Sequence, residues 1–203
     1  MNDSLYAPCH LAGGMTPYEW ERDPKRIGFI LARYKFVARM LEGKKKVLEV
    51  GCADGFGSRV VRQHVGALWA IDIDARSIEQ ARAHASPAWP ITFQQHDILA
   101  QPWFEFDAVY ALDVFEHIAE EARLLANLRE CAPVCILGTP SLESQAYASE
   151  LSRKGHVNCK TGPDLQRAML AHWRQVFLFG MNDETLHTGF QPMAQYRFAL
   201  AVA

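Results

Sequence analysis

Residues 46–58 read KVLEVGCADGFGS, a short apolar run that ends in a cluster of glycines. The run through Val50 is rich in β-prone side chains and predicts a strand. The chain resumes at Ser58 with SRVVRQH, which has the composition of a helix. The stretch therefore predicts a strand, a glycine turn and a helix. Its glycines, at positions 51, 55 and 57, allow backbone N–H groups to approach a ligand closely at the start of that helix.

The same alternation continues on the C-terminal side of this unit. Further strands are predicted at Leu68–Ile73, Ile91–Gln95, Phe106–Leu112 and Val134–Gly138, and less regular final ones at Gln175–Gly180 and Gln195–Val202. Strands that are apolar on both faces and alternate with helices indicate a parallel sheet covered on both sides. We therefore predict an α/β fold, a doubly wound and mostly parallel sheet in a three-layer α/β/α sandwich.

The length of 203 residues fits one domain with a substantial core. An amphipathic helix is predicted over residues 24–42, behind an irregular arm that we expect to act as a lid or leader. We divide this single domain into three parts. They are the arm and helix (1–42), a core that carries the ligand-binding loops (43–140), and a substrate-side excursion with the final strands (141–203).

Composition excludes several classes of protein. Hydrophobic residues make up 49% and charged residues 22%, and the formal net charge is -2, so no basic surface for nucleic acid is expected. The five cysteines show no CxxC pair. No secretory signal and no apolar run long enough to span a membrane is present, and we expect a cytoplasmic protein with no membrane partner.

Ligands of such sheets bind at the carboxyl ends of the strands, where the strand order reverses. A nicotinamide-dinucleotide fingerprint requires small residues at the first, third and sixth positions of its glycine run. Those positions hold Gly51, Ala53 and Phe56, and a phenylalanine would obstruct the pyrophosphate. Asp72, about 20 residues further on, suits a ribose in either case. A nucleoside ligand is predicted, and an NAD(P)-binding reductase-like enzyme stays open as an alternative.

Four segments resemble, in order and spacing, the cofactor motifs of class I S-adenosylmethionine-dependent methyltransferases: VLEVGCADGFGS, AIDID, QHDIL and FDAVYALDVFEHI. The resemblance covers residues 33–140. It implies S-adenosylmethionine as the cofactor and a sheet of seven strands whose last pair includes an antiparallel hairpin. Residues 32–36 resemble the leader helix of methyltransferases encoded among glycan-assembly enzymes. This resemblance points to a small-molecule methyltransferase like those of glycan or nucleotide-sugar pathways.

The resemblance implies cofactor-binding roles for Arg33, Glu49, Gly51, Cys52, Gly55, Asp72, Ile73, Asp97, Ile98, Leu112 and Asp113. In that comparison the glycine loop lies under the methionyl and ribose groups, and Asp72 accepts both ribose hydroxyls. Asp97 accepts from the adenine amino group, with Ile73 and Ile98 as apolar plates on the two ring faces. Leu112 and Asp113 pass beside the sulfonium. Glu49 anchors the loop or the amino end, and Arg33 meets the cofactor carboxylate.

Two histidines are candidates for a catalytic base. His117 follows the fourth strand, where acceptor and cofactor would meet, and His156 lies in the excursion that would roof the acceptor pocket. The alternative for His117 is a histidine that braces its loop. We expect no metal site, because a nucleotide pocket explains the acidic residues around His117 better than a metal does.

Together these features predict methyl transfer to an oxygen or nitrogen of a small molecule, with a sugar or nucleotide-sugar as the leading acceptor. The reductase-like enzyme and a catalytically silent adenosyl-binding protein are the alternatives. A monomer or homodimer with a small-molecule acceptor is expected.

Overall fold

The computed structural model describes residues 20–203, and these form one eight-stranded sheet with helices on both faces. The described strands are β1 (Lys46–Val50), β2 (Ala67–Asp72), β3 (Thr92–Gln95), β4 (Ala108–Leu112), β5 (Val134–Pro140), β6 (Gln175–Asn182), β7 (Thr185–His187) and β8 (Tyr196–Val202). The described α-helices are α1 (Lys25–Met40), α2 (Ser58–Arg62), α3 (Ala75–Ala83), α4 (Glu121–Cys131), α5 (Glu150–Gly155) and α6 (Gly162–Leu170). Short 3-10 helices span Phe115–His117, Glu143–Tyr147 and Gln191–Met193.

The strand order is β3-β2-β1-β4-β5-β8-β6-β7. The first five strands in that order pair in parallel, whereas β8 runs antiparallel to both β5 and β6. The predicted doubly wound, mostly parallel α/β sheet is confirmed. The order reverses between β1 and β4, so the loops that follow these two strands meet at the carboxyl edge of the sheet.

The sheet has one strand more than the seven expected. After β6 the chain turns through Asp183, whose φ of 51° is left-handed, and returns along the edge of the sheet. The returning residues, Thr185–His187, pair antiparallel with β6 over three positions. A strand this short has no apolar alternation, and for that reason the sequence pattern did not reveal it.

Both faces of the sheet are buried, as the apolar strands predicted. In β4, Val109 and Ala111 belong to the core cluster under α4 and α6, and Tyr110 belongs to the cluster under α1 and α2. Alternate residues of one strand therefore fill two different cores, because successive side chains point to opposite faces. The result is the expected three-layer sandwich.

Helix α1 buries Phe36, Val37 and Ala38 against one face of the sheet. This places its residues Arg33 and Tyr34 near the carboxyl ends of β1 and β4, where both form hydrogen bonds. The predicted N-terminal arm lies almost wholly in residues 1–19, outside the described residues. Within residues 20–203, no helix is long and apolar enough to cross a lipid bilayer.

Candidate cofactor and acceptor site

The loop after β1 is shaped by glycines that no other residue could replace without strain. Gly51 and Gly55 have φ of 79° and 73°, the left-handed region that favours glycine. A Cβ at Gly51 would overlap the side chain of Val114 in the loop after β4, and a Cβ at Gly57 would overlap the ring of Tyr34 in α1. The loop is therefore packed tightly between α1 and the loop after β4.

Asp72 ties this loop to the end of β2. Its Oδ2 accepts a hydrogen bond from the backbone N–H of Ala53 at 2.9 Å, and its Oδ1 accepts from the N–H of Asp74 at 2.9 Å. Each carboxylate oxygen keeps a second lone pair for another donor. Asp74 instead caps α3, accepting from the N–H groups of Arg76 and Ser77. The two aspartates of the AIDID segment therefore have different roles, since Asp72 binds the glycine loop and Asp74 caps the helix.

Glu49 is buried, with 1% of its surface exposed, at the base of the same loop. Its Oε1 accepts a hydrogen bond from the hydroxyl of Tyr34 at 3.0 Å, while its Oε2 is buried without a hydrogen-bond partner. Burial raises the pKa of Glu49 to about 7, although the hydroxyls of Ser58, Tyr110 and Tyr34 favour the charged form. A cationic donor at Oε2 would stabilise the carboxylate.

Arg33 and Asp113 form an ion pair across the site. Nη1 of Arg33 lies 3.1 Å from Oδ1 and 2.8 Å from Oδ2 of Asp113, and the guanidinium stacks 3.8 Å from the centre of the Tyr196 ring. Desolvation lowers the pKa of Arg33, but the charges of Asp113, Tyr196 and Glu116 and the hydrogen bond to Asp113 together outweigh it, so the pKa is raised. Asp113 has a φ of 56°, a left-handed conformation in a non-glycine residue.

The two predicted apolar plates lie in different environments. Ile73 is 66% exposed at the carboxyl end of β2, whereas Ile98 is 6% exposed and belongs to the core. Asp97 uses its Oδ1 to accept from the N–H of Leu99 at 2.8 Å, as a turn carboxylate does. Leu112 and Cys52 are also buried. The exposed side chain of Ile73 and the polar groups described above are therefore available to contact a ligand.

His117 and His156 lie side by side, with ring centres 5.0 Å apart. His117 Nδ1 is 2.9 Å from the carbonyl oxygen of Gly155, and His156 Nδ1 is 2.9 Å from Oε1 of Gln145. Because both partners are acceptors, each Nδ1 donates, and each Nε2 is left as the basic nitrogen. Burial and the neighbouring His117 lower the pKa of His156, although Asp113 raises it.

Glu116 completes this group, although it was not among the residues predicted for the site. It is 1% exposed, and its Oε2 accepts a hydrogen bond from the Thr139 hydroxyl at 3.0 Å. Burial, and secondarily the charge of Asp113, raises the pKa of Glu116 to about 8. The backbone N–H groups of Val157 and Asn158 both donate to the carbonyl of Glu116, which holds His156 beside His117. The adjacent residues Glu116 and His117 were the available signal in the sequence, but nothing local indicated that residue 156 lies beside them.

A cleft of about 590 Å³ opens beside His156. Its walls come from the end of β5, the segment through α5 and the residues before β8. Most lining side chains are polar, among them Glu143, Ser144, Gln145 and Gln195. Its volume lies within the range of small-molecule pockets.

Comparison with known proteins places this geometry in a family. Residues 47–135, from β1 to the start of β5, match a family described as a methyltransferase domain. This match of residues 47–135 confirms the resemblance to class I S-adenosylmethionine-dependent methyltransferases. The cofactor of this chain is S-adenosylmethionine.

This methyltransferase matches only part of the length of its curated relatives. The ubiquinone biosynthesis O-methyltransferase of Psychrobacter arcticus is 27% identical over 137 residues, which are 63% of this chain and 53% of that protein. The O-antigen chain terminator bifunctional methyltransferase/kinase WbdD of Escherichia coli is 30% identical over 146 residues, 64% of this chain and 21% of that protein. The chain thus spans about half, or less, of the curated relatives it matches.

Solved structures show that the fold of the methyltransferase extends beyond the matched residues. A putative methyltransferase complexed with the Trm112 activator of Haloferax volcanii has a TM-score of 0.73 at 15% identity, covering 91% of this chain and 96% of that one. The magnesium protoporphyrin IX methyltransferase of Synechocystis, with bound SAH, has a TM-score of 0.61 at 17% identity, covering 94% and 88%.

The residues present fit the cofactor. The partnerless Oε2 of Glu49 is a buried anionic acceptor suited to an ammonium group, and Asp72 keeps lone pairs for ribose hydroxyls. Ile73 supplies an exposed apolar face beside them. These features meet at the carboxyl ends of β1, β2 and β4.

Proposed function

We propose that this protein transfers a methyl group from S-adenosylmethionine to an oxygen or nitrogen atom of a small molecule, most readily a hydroxyl. The observation that carries this proposal is the pair His117 and His156, which lie side by side with His156 in the wall of the polar cleft. The Psychrobacter arcticus relative is named an O-methyltransferase, which supports oxygen as the acceptor atom.

The cofactor-binding residues are the second part of the proposal. Asp72 holds the ribose, and Glu49 holds the ammonium end. Arg33 meets the carboxylate end, which requires the guanidinium to share its donors with Asp113. Asp97 and Ile73 take the adenine ring, with Ile98 supporting from the core. The remaining contacts come from the backbone or side chains of Gly51, Cys52, Gly55, Leu112 and Asp113.

S-adenosylmethionine supplies an electrophilic methyl group on a sulfonium, which is already a good leaving group. The protein's contribution is to orient the acceptor, exclude water and manage the acceptor's proton. A neutral imidazole accepts a proton at Nε2, and the lowered pKa of His156 keeps that ring neutral near pH 7. The hydroxyl proton would pass to this nitrogen, or to that of His117, as the oxygen–carbon bond forms.

We favour a sugar or nucleotide-sugar as the acceptor. The cleft beside His156 presents carboxylate, hydroxyl and amide groups, which match a ligand rich in hydroxyls. The E. coli relative named for O-antigen chain termination supports the same class.

The decisive experiment incubates the purified chain with S-adenosylmethionine carrying a labelled methyl group and a panel of nucleotide-sugars, sugars and catechols. The label should appear in an acceptor. His117→Ala together with His156→Ala should lower the rate of methyl transfer without changing the affinity for the cofactor. Label confined to the cofactor with every acceptor class would instead favour the catalytically silent adenosyl-binding protein. A rise in the melting temperature with NAD, together with no change on addition of S-adenosylmethionine, would favour the reductase-like alternative.

The wider expectations are also part of this proposal. We place the protein in the cytoplasm as a monomer or homodimer, acting without nucleic acid or membrane, and treat residues 1–203 as one methyltransferase domain. The small net charge supports the absence of a nucleic-acid partner, and the single continuous sheet of the described residues supports one domain. Size-exclusion chromatography with light scattering measures the oligomeric state.

A further inference from the structure

Three side chains near the cleft form a donor set that the cofactor does not use. Glu116, His117 and His156 each offer a ligand atom, and these atoms all lie within 4.8 Å of one another. They come from separate parts of the chain, the 3-10 helix after β4 and the residue after α5. Two imidazoles and one carboxylate are donors that bind divalent transition metals, and such sites leave a position open for water or substrate.

The orientation of the histidines is that of metal ligands. Metal-binding histidines almost always donate their second ring N–H to a carbonyl or carboxylate, which fixes the ring and the tautomer. Nδ1 of His117 donates to the Gly155 carbonyl, and Nδ1 of His156 donates to the Gln145 amide oxygen. Both Nε2 atoms therefore carry lone pairs. The Thr139 hydroxyl fixes Glu116 in the same way through Oε2.

The charges around the group also call for a cation. Glu116 is 1% exposed and lies close enough to the carboxylate of Asp113 for the two charges to interact. Arg33 is also near, but its guanidinium is engaged by both oxygens of Asp113. A divalent ion would add positive charge beside these two carboxylates.

We propose that Glu116, His117 and His156 bind a divalent transition-metal ion such as Zn²⁺, contrary to the expectation from sequence that no metal is held. Ligands 2.0–2.2 Å from one ion stand about 3–4 Å apart, so the three side chains need to close by roughly 1 Å. His156 lines the cleft, and the open coordination position would lie on that side.

The ion's role rests on the proposed function. A hydroxyl of the acceptor at the open position would have its pKa lowered, so that its proton leaves to water and the oxygen lone pair forms the bond to the methyl carbon. The carbon–sulfur bond breaks, and its electron pair stays on sulfur. With the ion in place, the imidazoles act on the acceptor through it and do not take the proton themselves.

The test is metal binding to tag-free, chelator-treated full chain, measured by calorimetry with Zn²⁺ and by visible absorption with Co²⁺. We expect one ion per chain, with affinity at least tenfold weaker in His156→Ala and in Glu116→Gln, which keeps the shape and the Thr139 bond. His84→Ala, at a half-exposed histidine after α3, is the matched control and should bind as the wild type does. His10 lies outside the described residues. His10→Ala is therefore a second control, and it should bind the ion as the wild type does.

Equal affinity in all variants, or no stoichiometric binding by the wild type, overturns the proposal. Circular dichroism of each variant establishes that it is folded. These readouts do not depend on methyl transfer, so the two proposals fail separately. Binding of an ion without transfer to any acceptor refutes the proposed function alone, and transfer at full rate by ion-free protein refutes the ion's role in transfer alone.

Discussion

Arg33 on helix α1 and Asp113 in the loop after β4 are joined by two hydrogen bonds, although 80 positions separate them in sequence. The pair lies beside the cofactor loop and stacks on Tyr196 of β8. Three separate elements are thereby fixed around the position where the cofactor and the acceptor would meet. An interaction of this kind links the stability of the fold to the geometry of the site.

Replacing Arg33 with lysine should lower the stability, because lysine keeps the charge but loses the two-bond geometry and the stacking on Tyr196. The side chains of the pair are 21% and 43% exposed, so we expect a loss of only about 1 kcal/mol in the free energy of unfolding. Urea denaturation measures it. Lys35→Arg, the reverse change on the exposed side of α1, should leave the midpoint unchanged. A wild-type midpoint for Arg33→Lys would show that the pair does not stabilise the fold.

Asp72→Ala should weaken binding of S-adenosylhomocysteine by at least tenfold, about 1.4 kcal/mol, since it removes the proposed ribose acceptor and frees Ala53 N–H and Asp74 N–H. Asp74→Ala is the matched control. It removes the cap of α3 and should lower the thermal midpoint while changing the Kd much less. Calorimetry gives both constants. Equal losses of affinity, or the reverse order, would place the ribose away from Asp72.

The stability should depend on pH through Glu49. Its pKa is raised from 4.5 in the unfolded chain to about 7 in the folded one, so the folded state binds the proton more tightly. The contribution is fully present below pH 4.5 and disappears as the pH rises to about 7 and above, a change of about 3 kcal/mol. Glu49→Gln abolishes this one titration.

The measurement for Glu49 is the difference in the free energy of unfolding between wild type and Glu49→Gln at pH 5 and at pH 8. The wild type should lose stability relative to the variant as the pH increases. Asp107→Asn is a control, because Asp107 is half-buried and the pKa of its carboxyl is lowered by the N–H groups of Lys46 and Lys45. Parallel curves for wild type and Glu49→Gln would mean that Glu49 is not the titrating group.

Gly51→Ala should destabilise the protein more than Gly43→Ala. Both glycines have left-handed φ, 79° and 82°, and alanine in that region costs about 1–2 kcal/mol at either position. A Cβ at Gly51 also overlaps Val114, whereas a Cβ at Gly43 meets nothing within 4 Å. The overlap should add about 1–3 kcal/mol.

The double variant Gly51→Ala, Val114→Ala separates the two costs of that substitution. Removal of the Val114 methyl groups should recover the cost of the overlap and leave the cost of the conformation. Guanidinium denaturation of the wild type, Gly51→Ala, Val114→Ala and the double variant completes the cycle. No recovery in the double variant would contradict the packing described for this loop.

The amino-acid sequence determined the fold class and the cofactor loop because both depend on neighbours in the chain. The apolar run of β1 and the glycines after it specify a strand and a tight turn within a dozen residues. The alternation of such units predicts a parallel sheet, and the cap at Asp74 follows from its place before a helix. The three-residue strand β7 carried no such local pattern and was missed.

Only the tertiary structure decided which distant side chains act together. The pairing of His117 with His156, the contact of Tyr34 with Glu49, and the burial of Ile98 in the core each depend on how the layers pack. Such contacts join residues from 15 to 39 or more positions apart, and chain periodicity records which face a residue occupies but not what it meets there. Desolvation, which shifts the pKa values of Glu49 and Glu116, arises from that packing as well.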